Sequence, residues 1–149
     1  MDWLYGEGMT LTAEDIAVDQ LKHDEGLRLT PYQCTAGKLT IGYGRNLEDV
    51  GITEAEAELF LQHDVSVAKR VARLTVGNDV WHSLSSTRQA VLINMAFNLG
   101  ALGLSRFVKT LEAIRCGDYS VAADEMLDSA WARQVGRRAE RLASIMLEG

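Results

Sequence analysis

The chain has 149 residues, 47% of them hydrophobic and 24% charged, which suits one small globular domain. Its net charge of −6 argues against a nucleic-acid binder, whose affinity comes from neutralised phosphates. Two cysteines, Cys34 and Cys116, are too few for a disulfide scaffold and lack paired metal-ligand spacing, so the fold must stand on its core and no metal or other cofactor is expected.

Charge is unevenly placed: residues 1–66 hold 4 Lys/Arg against 13 Asp/Glu, residues 67–149 hold 11 against 8. Arg133, Arg137, Arg138 and Arg141 gather near the C-terminal end, where they either supply local attraction to an anionic partner or form a solvated helix face. The start, Met1-Asp2-Trp3-Leu4-Tyr5, has no basic n-region, and Glu7, Glu14 and Asp15 interrupt any apolar run. No signal or stable membrane anchor is expected there, and export would need outside help. Residues 1–8 precede any periodic pattern and read as a tag or linker remnant.

The first helix is expected from Thr12, whose hydroxyl can cap amides near Asp15, to about Asp24, with Gly26 ending it and Glu25 at its terminus. Leu39, Ile41 and Tyr43 then alternate with Thr40, Gly42 and Gly44, the period of a half-buried strand, and place Thr40 with the glycines on a small, open face. Such a face either admits a ligand close to the backbone or simply permits sheet twist. Arg45-Asn46-Leu47 follows where a dinucleotide fingerprint needs its third glycine. Thr53-Glu54-Ala55-Glu56 is a capping box, and apolar residues from Ala57 to Ala72 continue at helical spacing, predicting one long helix over about 54–74.

Ser86 and Gln89 open a further helix with almost no polar face, expected to be buried and closed by Gly100. Shorter helices are predicted over 109–115 and 120–128, the second capped by Asp118, and a last one over 137–147. These elements predict an α+β, mostly helical protein with two lobes: a β-hairpin lobe (25–52), the connecting helix (54–74) and a helical lobe (75–149). A polymer can lie in a cleft of such a fold, because a cleft offers many subsites at once.

Glu25, Cys34 and Thr40 place an acid, a second ionisable group and a hydroxyl on a turn and hairpin. That set suits glycosidic cleavage, in which an acid protonates the leaving oxygen and a partner prepares water. Together with Glu25-Gly26, Cys34, Thr40-Ile41-Gly42-Tyr43-Gly44, the Leu92-Ile93-Asn94-Met95 helix, Arg106-Phe107 and Trp131, they make the chain resemble the phage-type lysozymes, glycoside hydrolase family 24, from about Leu21 to Leu147.

The resemblance implies a single lysozyme-like catalytic domain over 1–149, a monomer, acting on bacterial peptidoglycan at the β-1,4 bond between N-acetylmuramic acid and N-acetylglucosamine. It implies an endolysin made in the host bacterial cytoplasm and delivered to the periplasmic wall by a holin or in a virion. Glu25 matches the family's general acid; it must hold a proton that a free Glu, with pKa about 4.3, has mostly lost at neutral pH, and partial burial against apolar neighbours would help. Cys34 stands where the best-known members have Asp and others have Cys. It is the base in an inverting reaction, a nucleophile in a retaining one, or a modest polar contact. Thr40 would hydrogen-bond the attacking water.

Gly44, Arg45 and Arg138 are carried over as substrate-binding or supporting residues. Arg138 falls where the family has an arginine close to the acid. Arg45 takes the place of a histidine and is expected to pair with Asp64, tying hairpin to long helix. Two other readings stand beside hydrolysis: a lytic transglycosylase that forms 1,6-anhydro ends without a water-activating base, and a wall-binding module without catalysis. His23, His63 and His82 share no ligand spacing. Trp3, Trp81 and Trp131 are sugar platforms or, more commonly, core residues. Asn94 is expected to satisfy backbone groups on its buried helix, and Cys116 to be inert.

Overall fold

The computed structural model describes residues 10–149, so the reading of residues 1–8 and the alternatives for Trp3 lie outside the described residues. The chain forms two compact units, one ending at Ala57 and the other running from Glu58 to Gly149. Its class is α+β and mostly helical, as expected.

In the first unit, α1 (Ala13–Glu25) starts where the Thr12 hydroxyl accepts the Asp15 amide at 3.1 Å and the Asp15 carboxylate accepts the Thr12 amide at 2.9 Å. Glu25 is its last residue. Strands β1 (Arg28–Gln33), β2 (Leu39–Gly42) and β3 (Arg45–Asn46) follow as an antiparallel sheet in the order β1-β2-β3. Thr40 pairs with Tyr32 on one side and Asn46 on the other, and the register between β1 and β2 shifts between Arg28 and Tyr32. Helix α2 (Glu54–Val76) then begins on the capping box read from the sequence: the Thr53 hydroxyl accepts the Glu56 amide at 3.2 Å and the Glu56 carboxylate accepts the Thr53 amide at 2.7 Å.

The expected open face is corrected by the sheet. Thr40 is the buried residue of β2, at 3% exposure, while Leu39 and Tyr43 are exposed. The Thr40 hydroxyl satisfies itself by donating to the Lys38 carbonyl at 2.9 Å, which lets a polar side chain take the inward position.

The second unit contains the rest of α2 and then α3 (Asn78–Ser83), α4 (Ser86–Ser105), α5 (Val108–Arg115), α6 (Tyr119–Leu127), α7 (Ala130–Val135) and α8 (Arg137–Glu148). Ser85 caps α4 by accepting the Arg88 amide and Asp118 caps α6 by accepting the Val121 amide. Gly100, expected to close α4, instead breaks it, and a further helical stretch continues to Ser105. Helix α4 is central but not buried all round: Val91, Leu92, Met95 and Ala96 are enclosed, while Ala90 and Phe97 are exposed. Around it Leu104, Ile114, Met126, Leu142 and Met146 complete the core. Trp81 and Trp131 belong to that core, at 3% and 4% exposure, and are not open sugar platforms.

Leu92 has no exposed surface. Its replacement by Ala should cost about 2–5 kcal/mol of stability through lost burial and the cavity left behind, read as a lower urea midpoint at unchanged slope.

Candidate functional site

The acid comes from the end of a helix and meets a turn of the sheet. Gly44 lies between β2 and β3 with φ of +75°, in the left-handed region that strains any other residue. A Cβ on Gly44 would lie 2.8 Å from Glu25 Oε2 and 3.1 Å from its Cδ. The acid's carboxyl group therefore occupies the space that a side chain at position 44 would need. Glu25 itself is exposed.

Cys34 and Thr40 are brought together by the turn between β1 and β2. The Cys34 amide donates to the Lys38 carbonyl at 2.9 Å, and the Gly37 amide donates to the Cys34 carbonyl at 2.8 Å. Lys38 is braced in turn: its ammonium lies 3.0 Å from Asp49 and 3.6 Å from Glu48, and the neighbouring Leu39 amide donates to Glu48 at 3.0 Å. This closed turn aims backbone donors at a free, half-buried thiol. The Lys38 amide first, and the Ala36 amide after it, hold the thiol below its ordinary pKa by stabilising the thiolate.

Arg45 does not reach Asp64. Its guanidinium forms a fork with Glu56, Nη1 to Oε1 at 3.0 Å and Nη2 to Oε2 at 2.9 Å, and its Nε donates to the Gly51 carbonyl at 3.0 Å. The expected tie between hairpin and helix is present, but through the first turn of α2, because the capping box already aims the Glu56 carboxylate back toward Thr53. Asp64 stands eight residues later, about 12 Å farther along the helix at 1.5 Å per residue. The Thr53 amide first, and Arg45 after it, hold the Glu56 carboxyl below its ordinary range. Arg45 is thus a brace for the turn that carries Gly44.

Arg138 lies in the second unit, in the first turn of α8, and is held by Asn94 of α4. Its Nε and Nη2 both donate to Asn94 Oδ1, at 3.0 and 2.7 Å. Asn94 therefore receives a side chain rather than backbone groups, and Asn98 one turn later accepts Trp131 Nε1 at 2.7 Å. Neither asparagine role is legible from spacing, since each partner lies more than thirty residues away in sequence. A buried apolar helix that keeps two asparagines four residues apart was the available signal.

The sequence model of the phage lysozyme family matches residues 22–144. The chain is 29% identical to a probable T4-type lysozyme 2 of Dictyostelium discoideum, over 88% of this chain and 93% of that protein. It is 34% identical to an endolysin of Acyrthosiphon pisum secondary endosymbiont phage 1, over 79% and 80% of the two chains. It is also 31% identical to the pre-baseplate central spike protein Gp5 of Enterobacteria phage T4, over 88% of this chain but 27% of the spike protein.

The Gly44 contact separates strain from crowding. Gly42 has a similar φ of +69° but nothing within 4 Å of a Cβ, so Gly42→Ala supplies the strain alone. Gly44→Ala should lose at least about tenfold more activity than Gly42→Ala at a comparable loss of melting temperature, because only the first displaces the acid. Turbidity clearing and thermal melts of the two variants check this.

Proposed function

The chain belongs to the phage lysozyme family, lysozyme-type glycoside hydrolases of peptidoglycan, and on that premise we propose that it hydrolyses the β-1,4 bond between N-acetylmuramic acid and N-acetylglucosamine. Glu25 is the general acid, and Cys34 with Thr40 activates the water. The observation that carries the mechanism is the surroundings of Cys34: a thiol is a poor base unless its thiolate is stabilised, and the Lys38 and Ala36 amides do so. Thr40 donates its hydroxyl proton to the Lys38 carbonyl, which leaves its lone pairs to accept from water.

The protonation states set a demand that the turn helps to meet. The reaction needs Glu25 with its proton and Cys34 without, yet ordinary Glu and Cys pKa values lie about four pH units apart in the opposite order. With ordinary values only about one molecule in ten thousand would carry the required pair. Lowering the thiol narrows this gap and enlarges the active fraction. An Asp at position 34 would narrow it further.

Arg138 keeps the supporting role implied by the resemblance, and Gly44 and Arg45 act by holding the acid and its turn. Synthesis in the host cytoplasm and action on the periplasmic wall, reached through a holin or in a virion, complete the proposal. The relatives named as an endolysin and as a phage spike protein support those two routes.

Glu25→Gln should abolish clearing of wall suspensions, and a variant as active as the parent would sink the mechanism. Cys34→Asp should keep activity and Cys34→Ser should lose most of it. The pH profile gives the sign: the limb set by the thiol lies below the range of an ordinary cysteine and moves down to the carboxylate range in Cys34→Asp. A profile unchanged by that substitution would make Cys34 a bystander.

A further inference from the structure

Cys34 and Thr40 hang from a single peptide group. The Lys38 carbonyl accepts the Cys34 amide at 2.9 Å and the Thr40 hydroxyl at 2.9 Å. The N–H at the other end of that peptide belongs to Leu39, and it donates to Glu48 Oε1 at 3.0 Å. A trans peptide group is a rigid plane whose C=O and N–H point in opposite directions, so a partner that fixes the N–H also fixes the direction of the carbonyl.

The sheet leaves this place to a side chain. The Leu47 amide donates to the Leu39 carbonyl at 2.8 Å, one of the two bonds that opposed antiparallel residues exchange. The return bond is diverted because the chain turns after β3: the Gly51 amide takes the Leu47 carbonyl at 3.1 Å, and the Val50 amide takes that of Asn46 at 3.2 Å. Glu48 stands in for the ladder carbonyl. A carboxylate is a stronger acceptor than a carbonyl, and it polarises the peptide so that the Lys38 oxygen holds its two donors more tightly. The other Glu48 oxygen lies 3.6 Å from Lys38 Nζ, which meets Asp49 Oδ1 at 3.0 Å. Those ion pairs are open to solvent and contribute little, so the leverage of Glu48 lies in its bond to the backbone.

We propose that Glu48 is a positioning residue for the reaction: its carboxylate fixes the Lys38–Leu39 peptide and thereby the placement of Cys34 beside Thr40. This rests on the water-activating role proposed for that pair. Glu48 bonds to the peptide and to neither of the two side chains, so it acts through the turn.

The test compares Glu48→Ala with Glu48→Gln, which removes the charge but keeps an oxygen acceptor. Each is assayed for kcat and KM on soluble peptidoglycan strands, with thermal melts to certify folding. The same substitutions in a Cys116→Ser background leave Cys34 as the one thiol, and its alkylation by iodoacetamide across pH reports its protonation without any turnover. Glu48→Ala should lower kcat about tenfold with KM nearly unchanged. Its alkylation midpoint should rise, because a slack Lys38 carbonyl releases the turn whose amides stabilise the thiolate. Loss of a negative charge by itself would move that midpoint down, so a rise reports the turn. Glu48→Gln should recover most of kcat without that rise.

Glu48→Asp keeps the charge but shortens the arm that reaches the Leu39 amide; it should share the loss and the rise, and it serves if the alanine variant folds poorly. A Glu48→Ala enzyme with parental kcat and midpoint, beside an inactive Cys34→Ser, would overturn the role of Glu48 and leave the proposed mechanism standing. Equal losses in Glu48→Ala and Glu48→Gln would also overturn it, since the effect would then follow charge and not the hydrogen bond. A Cys34→Ser enzyme as active as the parent would remove the mechanism and the inference with it.

Discussion

The carboxyl group of Glu25, the proposed acid, lies where a side chain is missing. Glu25 ends its helix with its carboxyl group 2.8 Å from where a Cβ on Gly44 would stand, so a side chain at residue 44 would have to displace that carboxyl group from its present position. The turn must also tolerate φ of +75°, and glycine meets both demands at once. Everything that holds the turn therefore bears on the acid. The next residue, Arg45, anchors it from one side through Glu56 and Gly51, and Glu56 is itself held by the Thr53 cap. A helix cap, an ion pair and a glycine form one chain of support that ends at the Glu25 carboxyl group. The pair is partly exposed and worth little as a contributor to stability, so its value lies in geometry.

The second ionisable group is prepared by backbone rather than by charge. No cation contributes to the lowering of the Cys34 thiol; the amides of its own turn do. A turn of this kind keeps its donors fixed as the thiol gains and loses its proton, which is what a base needs from preorganised dipoles. The same turn explains why Thr40 is buried. Its hydroxyl closes onto the Lys38 carbonyl, so one residue both seals the turn and stands next to the sulfur.

Much of the fold can be read from the chain because local chemistry agrees with it. Thr12, Thr53 and Asp118 each offer an oxygen to the amide three residues on, and helices begin at all three places. Helices α3 and α7 escape such a reading because six residues are too few to display a period of 3.6. The inward face of β2 escapes it for another reason. Alternation separates two faces without saying which is covered, and a threonine that satisfies its own hydroxyl can take the buried one. Near the proposed site, the structure sets Glu25 against Gly44 and Cys34 beside Thr40, residues the sequence singles out, but the partners of Arg45 and Arg138 are not legible there. One was hidden because a helix cap had redirected Glu56, the other because Asn94 and Arg138 lie on helices that meet only in the folded unit.

The central claim is that an acid and a water-activating partner are both built into the first unit, so the product must carry the elements of water. Digested peptidoglycan reduced with borohydride and weighed by mass spectrometry reports this directly. The account predicts reducible muramic acid ends, each reduced fragment heavier than its anhydro counterpart by one water and the two hydrogens that borohydride adds. Fragments ending in 1,6-anhydromuramic acid would contradict it, because the sugar's own hydroxyl would then have done the work assigned to water, Cys34 and Thr40.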